Sequence, residues 1–211
     1  MNDPLLDSLA FVGAVVAVLV DQRRAVFWAC LAVAVCLAPT AAALSGPGAA
    51  IILGGAAAAA GIAGESARLL FGRLTRRPES GPLIPVAAPP DSLFGPRSLR
   101  AFAALVALPA ASWISFNVPV GSIAVVQGLL FPPTFTFLCG AIRLLLARTI
   151  GDLAVGVAVV ALAVAVGWFL RGGSDPLPAA AGMALLAPLA AVLGEWLGAH
   201  RHPAPLPEPP G

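Results

Sequence analysis

Seven apolar runs divide this chain, and each is close to the length a helix needs to cross a hydrocarbon layer. A bilayer core of about 30 Å takes about 20 apolar residues at a rise of about 1.5 Å each. The runs span 5–20, 25–44, 49–63, 101–116, a fifth ending near Ile142, 150–170 and 179–199. Charged residues make up 10% of the chain, against about 25% in a soluble domain. A water-facing surface cannot be built from so few. In lipid each span must satisfy its own backbone, which helices do. The expected fold is an all-α polytopic membrane protein of seven transmembrane helices.

The basic residues orient it. All twelve are arginine; there is no lysine. With seven alternating spans, Arg23, Arg24, Arg68, Arg73, Arg76, Arg77, Arg97, Arg100, Arg143, Arg148 and Arg201 share one side and only Arg171 lies on the other. Loop arginines mark the cytoplasmic face, so the N-terminus is expected outside and the C-terminus inside. The acidic start, with Asp3 and Asp7, lacks the positive region of a secretory signal, so the first run reads as a retained helix. Residues 1–63 then hold helices one to three. Residues 64–100 form a cytoplasmic linker with six arginines and six prolines, residues 101–199 hold helices four to seven, and 200–211 are a proline-rich tail. The linker arginines could also meet anionic lipid headgroups. Without lysine the chain does not suggest a nucleic-acid binder. Alanine richness and arginine in place of lysine suggest a bacterial plasma-membrane protein.

Two helices carry packing signals. The third contains Gly54, Gly55, Ala57, Gly61 and Gly64. Small residues four apart let backbones approach closely, so this thin helix is expected to bury itself against neighbours, with Gly55, Ala57, Gly61 and Gly64 at the contact. The fifth carries Gln127, then Pro132, Pro133, Thr134 and Thr136. Two prolines free two carbonyls one turn earlier, and Thr134 and Thr136 are expected to take them. Broken helices also build transport sites. A plain proline kink is the competing reading.

Four ionisable residues, Glu65, Arg143, Asp152 and Glu195, fall near the cytoplasmic boundary and are candidates for one ionic or proton-path cluster. A solvated interfacial set is the competing reading, since long side chains snorkel. No ionisable residue sits at the centre of any span, which argues against a self-contained proton or cation channel. The two histidines, His200 and His202, are in the tail, so no span offers haem ligands. Cys30 and Cys36 are six apart, roughly 240° around a helix, and Cys139 is on another span. No zinc site or disulfide pair follows, and no catalytic residue, metal or cofactor is expected. Trp28, Trp113, Trp168 and Trp196 lie towards span ends, as interfacial anchors do.

Leu93-Phe94-Gly95-Pro96 before the fourth span and Arg148 before the sixth accompany a seven-span layout with its linker after the third. This layout resembles the small E-type membrane subunit of group 4 hydrogenases and formate hydrogenlyase. The last three helices are similar to the small K-type subunit of respiratory complex I. The resemblance implies a place in a proton-translocating membrane complex. That family has a membrane carboxylate in the sixth helix, where residues 157–166 here are entirely apolar. Glu195 lies nearer the cytoplasm than the family's second carboxylate. The resemblance then implies a scaffold rather than a proton-handling subunit.

Three functions compete. The first is a non-catalytic subunit that packs with other membrane subunits in an energy-converting complex. The second is a small secondary transporter with its site at the broken fifth helix. The third is a lipid-acting enzyme, which would need Glu65, Asp152 and Glu195 to converge with Arg143.

Overall fold

The structure is a computed structural model that describes residues 4–20, 25–74, 96–117, 126–147, 149–170 and 176–200. Every element among them is helical: α1 (Pro4–Leu19), α2 (Ala25–Ser45), α3 (Pro47–Leu74), α4 (Pro96–Asn117), α5 (Val126–Leu145), α6 (Ile150–Leu170), α7 (Pro176–Ala184) and α8 (Leu186–His200). Proline opens α1, α3, α4 and α7. Its fixed φ suits the first helical position, and its missing N–H is not needed there. Between α2 and α3, Gly46 takes φ +79° and donates its N–H to the Ala42 carbonyl at 2.9 Å. That left-handed step ends one helix so that Pro47 can start the next. The break between α7 and α8 has its own cause. Pro188 has no N–H for the Ala184 carbonyl and its ring crowds that group, so α7 ends at Ala184.

Five stretches are long and apolar enough to cross a membrane: Ala25–Ser45, Pro47–Phe71, Ser98–Asn117, Ile150–Leu170 and Pro176–Gly198, the last joining α7 and α8. By length and composition this is a multi-pass membrane protein. The apolar parts of α1 and α5 are shorter, Ser8–Leu19 and Phe131–Leu145.

Two expected boundaries move. The third helix continues to Leu74 rather than stopping at 63, and the fourth starts at Pro96 rather than 101. Hydropathy marks where lipid ends, whereas residues 64–74 hold helix formers that carry the rod onward. Of the linker, residues 75–95 lie outside the described residues, as do Arg23, Arg24, Arg76, Arg77, Arg148, Arg171 and the tail from 201.

The core has two parts. The larger joins α1, α2, α3, α6, α7 and α8, and sixteen of its 25 buried residues are alanine, so these helices meet on methyl groups at short range. The smaller joins α1, α4 and α5 around Ala14, Val18, Phe135 and Cys139. Helix α1 serves both, with Ala10 and Ala17 in the first and Ala14 and Val18 in the second. Helix α6 is the centre of the bundle, with thirteen of its 21 residues buried. It packs against α2, α5, α7 and α8.

Candidate functional site

The charged side chains that the structure describes gather at one end of the bundle, where the C-terminal ends of α1, α3, α5 and α8 meet the N-terminal ends of α2, α4 and α6. They form two separate groups.

The first is buried. Asp152 sits in the first turn of α6, where the helix dipole favours an acid. Thr149 precedes that turn and accepts the Asp152 N–H on its hydroxyl at 3.1 Å, an N-cap that fixes the helix start. The Asp152 carboxylate then takes two arginines. Arg100 Nη2 donates to Oδ2 at 2.8 Å and Arg143 Nη2 donates to Oδ1 at 3.1 Å. Side-chain exposures are 3% for Arg100, 1% for Arg143 and 5% for Asp152.

Arg143 does a second job. A helix leaves its last four carbonyls without donors, and Arg143 supplies them to α1. Its Nη1 donates to the Ala17 carbonyl and, at 3.4 Å, to that of Val18, while Nη2 donates to Val20 at 2.7 Å. One guanidinium in the last turn of α5 therefore caps α1 and holds Asp152 of α6. Arg100 ties in α4. Among the described residues two positive charges face one negative one, and the carbonyl dipoles of α1 are placed to offset positive charge.

The second group is open. Glu65 and Arg68 of α3 pair at 2.5 Å with side-chain exposures of 37% and 39%. With Glu195 of α8 they line a cavity of about 370 Å³ whose other walls are Val26, Phe27, Ala58, Ala60, Gly61, Ile62 and Gly64. Glu195 feels the attraction of Arg68 and the repulsion of Glu65. It also lines a neighbouring cavity of about 330 Å³ beside Thr149, Gly151 and Gly194.

The four residues expected as one cluster are thus divided. Arg143 and Asp152 are bonded together, and Glu65 and Glu195 share a cavity. Arg100 was placed on the cytoplasmic side only as an orienting charge. The signal that could have singled it out is its position: an arginine only five residues into an apolar helix, near the positive end of its dipole, calls for a carboxylate. Among the described residues no three His, Cys, Asp or Glu side chains form a metal-holding group.

Of the two readings of the fifth helix, a break is not what the structure shows. Helix α5 runs unbroken through Pro132 and Pro133, both buried. Thr136 donates to the Pro132 carbonyl at 2.9 Å, an ordinary bond to the residue four back. It does not take the carbonyls of Gly128 and Leu129, which the prolines free. Thr134 is half-buried, and the side chain of Gln127 lies outside the described residues. Phe135 stacks between Phe131 and Phe11, with centroids 5.8 and 5.6 Å away, so aromatic rings fill this region. Neither cavity touches α5.

The small residues of α3 separate by face. Ala57 is buried, a Cβ on Gly61 would collide with the Phe27 ring, and one on Gly64 would meet the Ala191 Cβ at 3.5 Å. Gly55 is exposed with open space around it and makes no helix contact within this chain among the described residues: it sits on the outer face with Ile51, Ala58 and Ile62.

No protein-family model, curated protein or solved structure matches this chain.

Proposed function

We propose that this chain is a seven-span membrane protein, N-terminus out and C-terminus in, that works as a non-catalytic packing subunit of a larger energy-converting complex in a bacterial plasma membrane. One observation carries the reading. Among the described residues the buried charged groups, Arg100, Arg143 and Asp152, bond to one another, and Arg143 also bonds the end of α1. Groups engaged in this way hold helices in place; they do not present a proton or ion site. The arginine asymmetry supports the orientation, since the ends of α1, α3, α5 and α8 that gather here are those the arginine count assigns to the cytoplasm. The seven-span count takes α1 and α5 as spans with short apolar segments and α7–α8 as one.

The transporter reading loses one of its motivations with the unbroken, aromatic-filled α5. The lipid-enzyme reading needs Glu65, Asp152 and Glu195 together, and Asp152 is bonded elsewhere. The test is extraction of the tagged full chain from its own membrane in mild detergent, followed by native gel and mass spectrometry. Larger membrane subunits should co-purify in fixed ratio. A monodisperse lone chain that moves a solute in liposomes would overturn the proposal. Orientation is read separately: a fluorescent protein fused after Gly211 should fold and fluoresce, and a cysteine introduced at Asn2 should react with an impermeant maleimide from outside.

A further inference from the structure

The cavity between α2, α3 and α8 has a chemistry that the packing role does not use. Its depth follows from helix geometry. From Pro47, about 20 residues at about 1.5 Å each bring α3 to the far edge of a 30 Å hydrocarbon layer near residue 67. From Pro176 the same length brings α7–α8 to the edge near residue 196. Glu65, Arg68 and Glu195 therefore lie within a turn of the same boundary, at the level of lipid headgroups. The flank of the cavity is formed by Ala58 and Ile62 of α3, both on its exposed face, with Ile62 70% exposed. In a membrane that face meets lipid. The inner wall is apolar, with Phe27 lying against Gly61 where any Cβ would displace it.

The charges are asymmetric. Among the described residues that line the cavity there are two carboxylates and one arginine, and that arginine is bonded to Glu65. Among the described residues Glu195 is joined to its neighbours only through longer-range attraction and repulsion. A ligand that completes this set brings a hydrogen-bonding cation to Glu195 and can lay an anion beside Arg68.

We propose that this cavity binds an aminophospholipid, whose primary ammonium pairs with Glu195 and whose phosphodiester lies towards Arg68. Its acyl chains leave past Ala58 and Ile62 into the bilayer. The three N–H donors of an ammonium suit a carboxylate at this depth. A choline headgroup carries the same charge without a donor. An anionic headgroup brings a further negative charge to a lining whose described charges are two carboxylates and one arginine. The inference needs only that the charged end of the bundle lies at a membrane surface. It stands whether or not the chain is a subunit of a complex.

The experiment is native mass spectrometry of the full chain, delipidated in detergent and titrated with phosphatidylethanolamine, phosphatidylcholine or phosphatidylglycerol of matched acyl chains. The expected result is one retained phosphatidylethanolamine, held about tenfold more tightly than the other two. Glu195→Gln should bring it down to the phosphatidylcholine level, and Glu195→Asp should keep part of the preference. Ile62→Trp should weaken the site by narrowing the flank without changing any charge. Equal retention of the three headgroups by the wild-type chain would overturn the proposal, and this arm needs no variant to fold. So would a well-folded Glu195→Gln chain with unchanged preference. Displacement of the lipid by free phosphoethanolamine would assign the site to a soluble amine and equally overturn it.

Discussion

At the charged end of the bundle, α1, α4, α5 and α6 meet around Asp152, and a short distance away α2, α3 and α8 meet around Glu195. Both places combine arginine with carboxylate at the same depth. They differ in stoichiometry and in burial. Among the described residues, two arginines share one acid around Asp152, side-chain exposure is 5% or less, and further Arg143 donors go to the carbonyls of α1. Among the described residues around Glu195, two acids stand beside one arginine, and the Glu65–Arg68 pair is more than a third exposed. The first arrangement has its charges matched by protein. The second leaves a negative group at the wall of a cavity. Residue type at the membrane boundary therefore does not assign a role; the ratio of charges and the room around them do.

The largest effect should come from Asp152→Asn. Removing one partner from a buried ionic set leaves an uncompensated charge and costs about 3–5 kcal/mol. Here Arg100 and Arg143 both lose the carboxylate they bond to. The expected outcome is a strongly lowered unfolding temperature in detergent, with much of the chain aggregating on extraction. Arg143→Gln should follow, since it loses the ion pair and the cap on α1 together. Arg100→Gln should be milder, because Asp152 keeps Arg143. If Arg100→Gln proves the worse of the two, the capping of α1 contributes little and the description of Arg143 as a double tie fails.

A second contrast lies along α3, where one helix presents glycines to two environments. Gly61→Leu drives a side chain into the Phe27 ring and should cost about 1–3 kcal/mol, the usual range for overpacking. Gly55→Leu adds an apolar side chain to open space and should leave stability unchanged or raise it slightly, since it removes glycine from a helix interior. Paired thermal melts check both. A Gly55→Leu loss as large as that at Gly61 would mean the outer face of α3 is covered by another chain.

The sequence carried much of this and hid the rest for physical reasons. Lipid imposes length and apolarity on a span, so runs such as 25–44 and 150–170 fall within a residue of α2 and α6. It imposes nothing once a helix leaves the membrane, so the last turns of α3 were invisible to hydropathy. Arg143 and Asp152 could be singled out because charge near an apolar run is expensive. That Arg100 joins them depends on α4 lying against α5 and α1, which brings together residues 52 apart in sequence. Proline at 132 and 133 misled because its cost in a helix depends on what surrounds the freed carbonyls. The rings of Phe11, Phe131 and Phe135 pack this part of the helix, which stays whole.

Thr149→Ala removes the N-cap of α6 and should cost about 1 kcal/mol. The readout is again the melt, in a background where Asp152 is intact. The sharper use is combination with Asp152→Asn. If Thr149 acts by placing Asp152 between its arginines, the two losses should sum to less than their separate values, because neighbouring sites couple. Full additivity would separate the cap from the ion pairs.

The smallest effect should come from Glu195→Gln, within about 0.5 kcal/mol of wild type, as for a substitution outside any buried network. The reason is the charge count. Glu65 keeps Arg68 at 2.5 Å after the change, and the repulsion between the two carboxylates disappears. A surface pair such as Glu65–Arg68 contributes at most about 1 kcal/mol in any case, so little remains to be lost. The same substitution that should abolish headgroup preference should therefore leave the melt alone. A Glu195→Gln chain that destabilises as badly as Asp152→Asn would make Glu195 a structural member of the bundle, and the distinction between the two charged groups would collapse.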